Sequence, residues 1–150
     1  MPNPIHTLAK YIPFSSQNIF LFDACGALLS AGCLGFIGAC LSHLFGLSRP
    51  LWQGLAAIAC VFAIYSLVCY IVPIKHRKTA LRIIITANVL YVCLNTYLIS
   101  IYYHHLTLWG LGYLILEVLV LFVVVVVEMA VLHKDTVSWK GRNWWISRPS

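Results

Sequence analysis

Charged residues are scarce in this sequence of 150 residues. Asp, Glu, Lys and Arg make up 9% of it, against about 25% in an average globular domain, and Asp and Glu together number only four. The hydrophobic fraction is 61%, which is more apolar surface than a soluble fold of this length can bury. The scarcity of charge therefore excludes a soluble globular protein and indicates that lipid is the solvent for much of the chain.

Motifs of enzymes and cofactor-binding proteins are absent as well. The sequence contains no Gly-rich phosphate loop, no HExxH zinc motif and no Ser-His-Asp set. None of the six cysteines forms the Cys-x-x-Cys pair of a thiol oxidoreductase, and we expect buried free thiols that act as small hydrophobes. His43, His104 and His105 are the remaining metal or haem candidates, but their position at predicted helix ends is typical of interfacial histidines. We therefore predict no enzyme activity, no metal site and no cofactor.

Long apolar stretches occupy most of the remaining sequence. They cover residues 19–44, 51–72, 83–103 and 106–132, and each is long enough as a helix to cross a hydrocarbon core of about 30 Å. Strands of a membrane barrel would alternate apolar and polar residues, which the continuous apolar run 119–127 does not do. Short turns after the first and third stretches make consecutive helices antiparallel neighbours. The sequence predicts an all-α polytopic membrane protein, a four-transmembrane-helix up-down-up-down bundle whose helices we call spans one to four.

The chain divides into three parts on this interpretation. Residues 1–18 form an interfacial N-terminal lead, residues 19–133 form the transmembrane domain, and residues 134–150 form a basic, Trp-rich tail. Tryptophan beside Lys and Arg in the tail favours a segment that lies at the lipid headgroups. Disorder is the alternative for this tail.

Lys and Arg are distributed unevenly between the two predicted sides of the membrane. The side with both termini holds nine of the ten, namely Lys10, Lys75, Arg77, Lys78, Arg82, Lys134, Lys140, Arg142 and Arg148, and only Arg49 lies on the other side. The positive-inside rule then places both termini in the cytoplasm, and we predict a bacterial inner membrane. The net charge of +6 predicts attraction to anionic lipid headgroups. Nucleic acid is not a predicted partner, because the charges lie in three short segments rather than on one folded face.

Small residues form a stripe along span one. Ala27, Ala31, Gly35 and Ala39 recur every four residues, and such stripes let a second helix approach closely in lipid. We predict that this stripe is the helix-packing centre of the bundle. The same stripe could instead be the face of a homodimer, and the sequence does not separate the two.

Polar residues inside the spans are the best functional lead, because they are costly in lipid and usually face the interior of a bundle. Glu117 lies near the middle of span four, and Asn95, Tyr65 and Ser30 lie at similar predicted depth. We expect Glu117 to be protonated there and to bond to Asn95 or Tyr65. These four residues form a predicted proton or substrate site, and the alternative is that Glu117 only joins helices as a neutral acid.

A second group of polar residues lies nearer the side with the termini. Asp23, Asn88, Glu128 and Arg82 fall at shallow depth when residues are counted from the helix ends on that side. We predict a structural cluster in which Asp23 and Glu128 pair with Arg82 or with Lys134, or meet water.

Three segments, residues 21–30, 87–91 and 106–117, resemble a group of small four-span bacterial integral membrane proteins. The resemblance extends over the four spans but not over the tail. It implies a four-span fold, supports Asp23, Asn88 and Glu117 as residues of interest, and implies no activity.

Two hypotheses of function follow from these observations. The first is a non-enzymatic accessory module that self-associates as a homo-oligomer or joins a larger membrane complex, because the chain has a small-residue stripe and no catalytic motif. The alternative is a small proton-coupled secondary transporter that uses Glu117. The absence of an inverted repeat or a Pro-broken helix argues against the second.

Overall fold

The computed structural model describes the backbone of residues 16–72 and 77–146, and the side chains of residues 18–72 and 77–133. Most of the predicted N-terminal lead and the side chains of the predicted tail lie outside these residues. Within the described ranges all regular secondary structure is helical. Four helices are long and apolar enough to cross a membrane, at Asn18–Phe45, Arg49–Ile71, Arg77–Tyr102 and Leu108–His133. The prediction of an all-α four-span membrane protein is confirmed.

The bounds of two spans differ from those predicted. Span three begins at Arg77 rather than at residue 83, so three basic residues occupy its first turns instead of a loop. The helix of span four continues to Ile146, well into the part predicted as a separate tail. Hydropathy detects where a helix enters lipid, whereas backbone hydrogen bonding continues into polar segments that also have adequate helix propensity.

Span one contains a local distortion near its end. It is α-helical over Ser16–Phe36 and becomes π-helical over Ile37–Leu41 before a last α-helical turn. The wider π-helical turn changes which backbone N–H and C=O groups of this stretch bond to each other. Arg49 supplies additional hydrogen-bond donors to its carbonyl groups. Its Nε donates to the Gly38 carbonyl at 3.0 Å, and its Nη2 donates to the Ala39 carbonyl. The single Lys or Arg predicted on this side of the membrane therefore stabilises the end of a helix.

The turns that follow spans one and three lie against each other at one end of the bundle, which we call the hairpin end. Gly46 ends span one in the left-handed region, with φ of 81°, and its N–H donates to the Ser42 carbonyl at 3.2 Å. A Cβ at Gly46 would also collide with the backbone of the second turn, against the His105 carbonyl oxygen and at 2.8 Å from the Thr107 nitrogen. Thr107 Oγ1 donates to the Leu44 carbonyl at 2.6 Å, which joins the two turns. The opposite end, where Arg77 begins span three, is called the basic end below.

The four spans pack as two antiparallel hairpins. Span one contacts span two along its length and span three contacts span four, while contacts between the two hairpins are fewer. The small residues of span one explain the closeness of the first hairpin. A Cβ at Gly35 would lie 4.0 Å from the Ala56 Cβ, and one at Gly38 would lie 2.7 Å from the Trp52 Cβ. Ala31 is buried, whereas Ala39 is exposed. The part of the predicted stripe at Ala31 and Gly35 therefore packs within the chain.

Two apolar clusters occupy the ends of the interior. Around Trp52 at the hairpin end, the rings of Phe45 and Tyr113 each lie edge-on with centroids 5.8 Å from that of Trp52. At the basic end, Phe20 and Leu81 belong to a second buried cluster. Tyr91 and Leu98, which flank the buried Asn95 on span three, also belong to the first cluster, so apolar side chains lie directly beside this buried polar residue.

Candidate functional site

Each of the four spans contributes one buried polar side chain to a single group near the basic end. The group, called the four-helix polar cluster, consists of Asp23, Ser66, Asn88 and Glu128, with exposures of 5%, 0%, 3% and 0%. Ser66 Oγ donates to Asp23 Oδ2. Asn88 Nδ2 donates to Asp23 Oδ1 at 3.1 Å and reaches both carboxylate oxygens of Glu128 at 3.2 Å. The cluster therefore connects all four helices through side-chain hydrogen bonds.

The two carboxyl groups of this cluster are close neighbours. Since both lie within 3.2 Å of the same amide nitrogen, they are within roughly 6 Å of each other at hydrogen-bonding geometry. Two negative charges at that separation repel strongly where the dielectric constant is low. The arrangement therefore favours a state in which the pair shares a proton or a bound cation.

Arg82 does not join this cluster, contrary to the prediction. Its side chain is exposed on the outer surface of span three, in a shallow groove with Thr79 and Thr86. Asn88 is six residues further along the helix, which places it about 120° around the axis from Arg82. Ser66 and Asn88 donate the described hydrogen bonds to the acids instead. The other predicted partner, Lys134, has a side chain outside the described residues.

A second polar level surrounds Glu117, about 16 Å along span four from Glu128 at helical rise. Tyr91 Oη lies 3.3 Å from Glu117 Oε1 and 3.3 Å from the Leu55 carbonyl, and donates to one of them at a time. Asn95 Nδ2 donates to the Tyr91 carbonyl at 3.1 Å. Glu117 Oε2 and Asn95 Oδ1 are buried and have no hydrogen-bond partner among the described residues. Tyr91, rather than Asn95 or Tyr65, is thus the described hydrogen-bond donor to Glu117.

The other two members of the predicted Glu117 site, Tyr65 and Ser30, do not lie at the level of Glu117. Tyr65 directly precedes Ser66 and therefore lies at the level of the four-helix polar cluster, whereas Leu55 is the span-two residue at the level of Glu117. Ser30 lines a cavity of about 40 Å³ between the two levels. The depth of Tyr65 was misjudged because predicted helix ends do not fix the register of antiparallel helices against each other.

This small cavity connects the two polar levels. Asp23 and Asn88 line it on the basic side, Tyr91 lines it on the hairpin side, and Ser30 and Phe62 contribute to its wall. Its volume is large enough for one or two water molecules. Water there would have hydroxyl, carboxylate and amide partners from both levels.

A larger space, called the lateral pocket, lies between spans two and three. Its volume is about 160 Å³, and its lining consists of Asp23, Val61, Phe62, Tyr65, Ile83, Ile84, Ala87 and Asn88. All of these except Asp23 and Asn88 present apolar or aromatic surface. Asp23 and Asn88 of the four-helix polar cluster therefore border a largely apolar space between spans two and three.

The sequence analysis did not single out Ser66 or Tyr91 as residues of the site. Ser66 was detectable as one of the few hydroxyl groups within the apolar run of span two. Tyr91 lies three residues after Asn88 and four before Asn95, which is the spacing of one helical face. The missing information was which residues on the neighbouring helices face these positions.

Residues that could bind a metal ion are dispersed. Within the described part of the chain, no group of three or more His, Cys, Asp or Glu side chains is arranged to hold one. His43, His104 and His105 are exposed at the hairpin end. Contrary to the expectation of buried thiols, five of the cysteines are exposed on the surfaces of the spans, and Cys69 is buried. All six are free thiols.

No family model, no curated protein and no solved structure matches this chain. The resemblance to small four-span bacterial membrane proteins stays a prediction, and the function is argued below from the geometry of the site.

Proposed function

We propose that this protein is a non-enzymatic membrane transporter that exchanges a proton for a small cation at the four-helix polar cluster. The observation that supports it is the convergence of two buried carboxyl groups, Asp23 and Glu128, on one amide of Asn88. Intramembrane carboxyl groups commonly mark proton and ion pathways. Here all four helices supply a polar group, so movement of any helix alters the site.

Competition between a proton and a cation for the same charge would couple their movements. The repulsion between Asp23 and Glu128 is relieved when either species binds, so release of one favours uptake of the other. Ser66 and Asn88 hold the carboxylates in position by hydrogen bonds, which keeps the geometry ready for both states. The exchange needs no covalent chemistry.

Glu117 would serve as a second proton site on the way to the hairpin end. Tyr91 bonds to Glu117 and also lines the small cavity that reaches Asp23. A proton could leave Glu117 for the Tyr91 oxygen while Tyr91 gives its own proton to a water molecule in the cavity. That water then protonates Asp23, and the net result is the transfer of one proton between two carboxyl groups.

Flux measurements in proteoliposomes test this proposal. Under a pH gradient, we expect wild-type protein to take up a monovalent cation as protons leave, with Asp23→Asn and Glu128→Gln each abolishing the exchange. Tyr91→Phe removes the hydroxyl group that bonds to Glu117 and should slow the exchange at least tenfold. Tyr97→Phe is its matched control, because Tyr97 is exposed, and it should transport normally. Wild-type protein with no cation-dependent proton flux would exclude the proposal.

A second candidate function, an accessory module that self-associates, is favoured by the outer face of span one. Gly32 is exposed, and a Cβ added there meets nothing within 4 Å, so another helix could approach this position closely. Gly35 faces Ala56 within the chain instead. Gly32→Leu should therefore reduce oligomer formation in mild detergent, whereas Gly35→Leu should reduce the stability of the monomer. Equal effects of both variants on light-scattering mass would contradict this face as an interface.

We also propose the orientation and membrane that the charge bias predicts. The basic end would face the cytoplasm of a bacterium, next to the anionic headgroups of the inner membrane. Cysteines engineered near residues 49 and 76 of a cysteine-free variant would be labelled from outside the cell only at residue 49. Labelling of residue 49 from the cytoplasm alone would reverse the proposed topology.

A further inference from the structure

We propose that the lateral pocket binds a small lipophilic ammonium ion, which enters from the lipid between spans two and three and pairs with Asp23. This inference rests on the proposed exchange at the four-helix polar cluster, and it names the class of cation exchanged.

The wall of the pocket suits an apolar substituent. Val61 and Ile83 are 62% and 51% exposed, so the pocket is bordered by residues that face the lipid. Phe62 and Tyr65 form an aromatic part of its lining, and the faces of aromatic rings attract ammonium groups. A hydrated inorganic ion would lose its water in this surrounding without adequate replacement. An organic ammonium ion also loses water from its charged group, but burial of its apolar substituent against this wall offsets part of that cost.

The charge of the pocket selects the sign of the ligand. Asp23 is its acidic group, and the eight described residues that line it include no Lys, Arg or His. Each oxygen of Asp23 accepts one described hydrogen bond, from Ser66 or from Asn88. A carboxylate oxygen has lone pairs for two, so Asp23 retains acceptor capacity for an N–H of the ligand.

The size of the pocket limits the ligand to one small apolar group. A cavity of about 150 Å³ binds benzene in a protein interior, and the lateral pocket, at about 160 Å³, is of the same order. A single ring or a branched chain of comparable volume fits, with the ammonium group at Asp23. Arg82 lies in the adjoining outer groove, which shares Ile83 and Ala87 with the pocket, so it borders the entrance without lining the binding space.

Binding of benzylammonium to the purified protein in detergent tests the inference, with benzyl alcohol as the neutral probe of similar size. By isothermal titration calorimetry, benzylammonium should bind at least tenfold more tightly than benzyl alcohol. Asp23→Asn should remove that difference. Ala87→Leu should fill the pocket and weaken binding of both probes at least tenfold, whereas the matched control Ala57→Leu, at an exposed site of span two, should leave both unchanged. Ile83→Trp at the exposed border is a second blocking variant if Ala87→Leu does not fold.

The possible outcomes distinguish this inference from the proposed function. Equal binding of the two probes, or wild-type binding in both Asp23→Asn and the blocking variants, overturns the ammonium site and leaves a space occupied by lipid chains. If that happens while wild-type protein still exchanges protons for an inorganic cation, the proposed function stands alone. Binding with the expected pattern but without any flux in proteoliposomes would support the site and exclude transport.

Discussion

Replacing Asn88 by Leu should destabilise the bundle far more than replacing Asn95 by Leu. Both residues are buried asparagines on one face of span three, seven positions apart, so the two changes remove the same atoms in similar surroundings. They differ in their partners. Asn88 donates to Asp23 on span one and to Glu128 on span four, whereas Asn95 donates to a carbonyl of its own helix.

The magnitude follows from these partners. Hydrogen bonds between membrane helices contribute about 0.6 kcal/mol on average and about 1.7 kcal/mol at most, and a buried polar group left without a partner costs about 1–3 kcal/mol. Asn88→Leu affects two such pairs, and we expect it to lower the free energy of unfolding by about 2–4 kcal/mol. Asn95→Leu loses one neutral bond and also removes an Oδ1 without a partner in the described part of the chain, so we expect a loss of about 1 kcal/mol or less.

Equilibrium unfolding in mixed micelles measures this difference. The fraction of SDS at the midpoint, followed by far-ultraviolet circular dichroism and by tryptophan fluorescence, should fall clearly for Asn88→Leu and little for Asn95→Leu. A difference of about 2 kcal/mol changes the unfolding constant roughly 30-fold, which is well within the resolution of such titrations. Unfolding of both variants at the same SDS fraction would refute the view that the four-helix polar cluster joins the two hairpins.

Two further predictions concern close packing and the turns. Gly38→Ala should lower the free energy of unfolding by about 1–3 kcal/mol, because its Cβ would lie 2.7 Å from that of Trp52. Gly32→Ala, whose Cβ meets nothing within 4 Å, should be neutral or slightly stabilising. Equal midpoints of the two variants in the same SDS titration would contradict the close approach of spans one and two at Gly38. Thr107→Val removes the bond from Thr107 Oγ1 to the Leu44 carbonyl, which joins the two turns, and the bond that Thr107 Oγ1 accepts from the Gly110 N–H at the start of span four, and it should cost about 1 kcal/mol. Thr96→Val, whose hydroxyl bonds only to its own helix, is the control, and a loss as large as that of Thr107→Val would show that the turn contact contributes nothing.

Several features of the site could be predicted by counting residues along single helices. Asp23, Asn88 and Glu128 were assigned a similar depth, and they meet in one cluster. Counting gave no account of Ser66 or of the position of Tyr65. Both depend on how far span two is shifted against its neighbours, and apolar stretches of similar hydropathy contain little information about that shift.

The sequence by itself determined the number of spans, their approximate bounds and the presence of acids within them. Transfer of a segment into lipid depends on the sum of its own side chains, so hydropathy suffices for these features. The tertiary structure decided which polar groups become partners, that Arg82 faces outward and that a pocket opens beside Asp23. These properties depend on the rotation and register of each helix against the others. Small residues, the π-helical turn and the contact between the two turns set that rotation and register through interactions between parts of the chain distant in sequence.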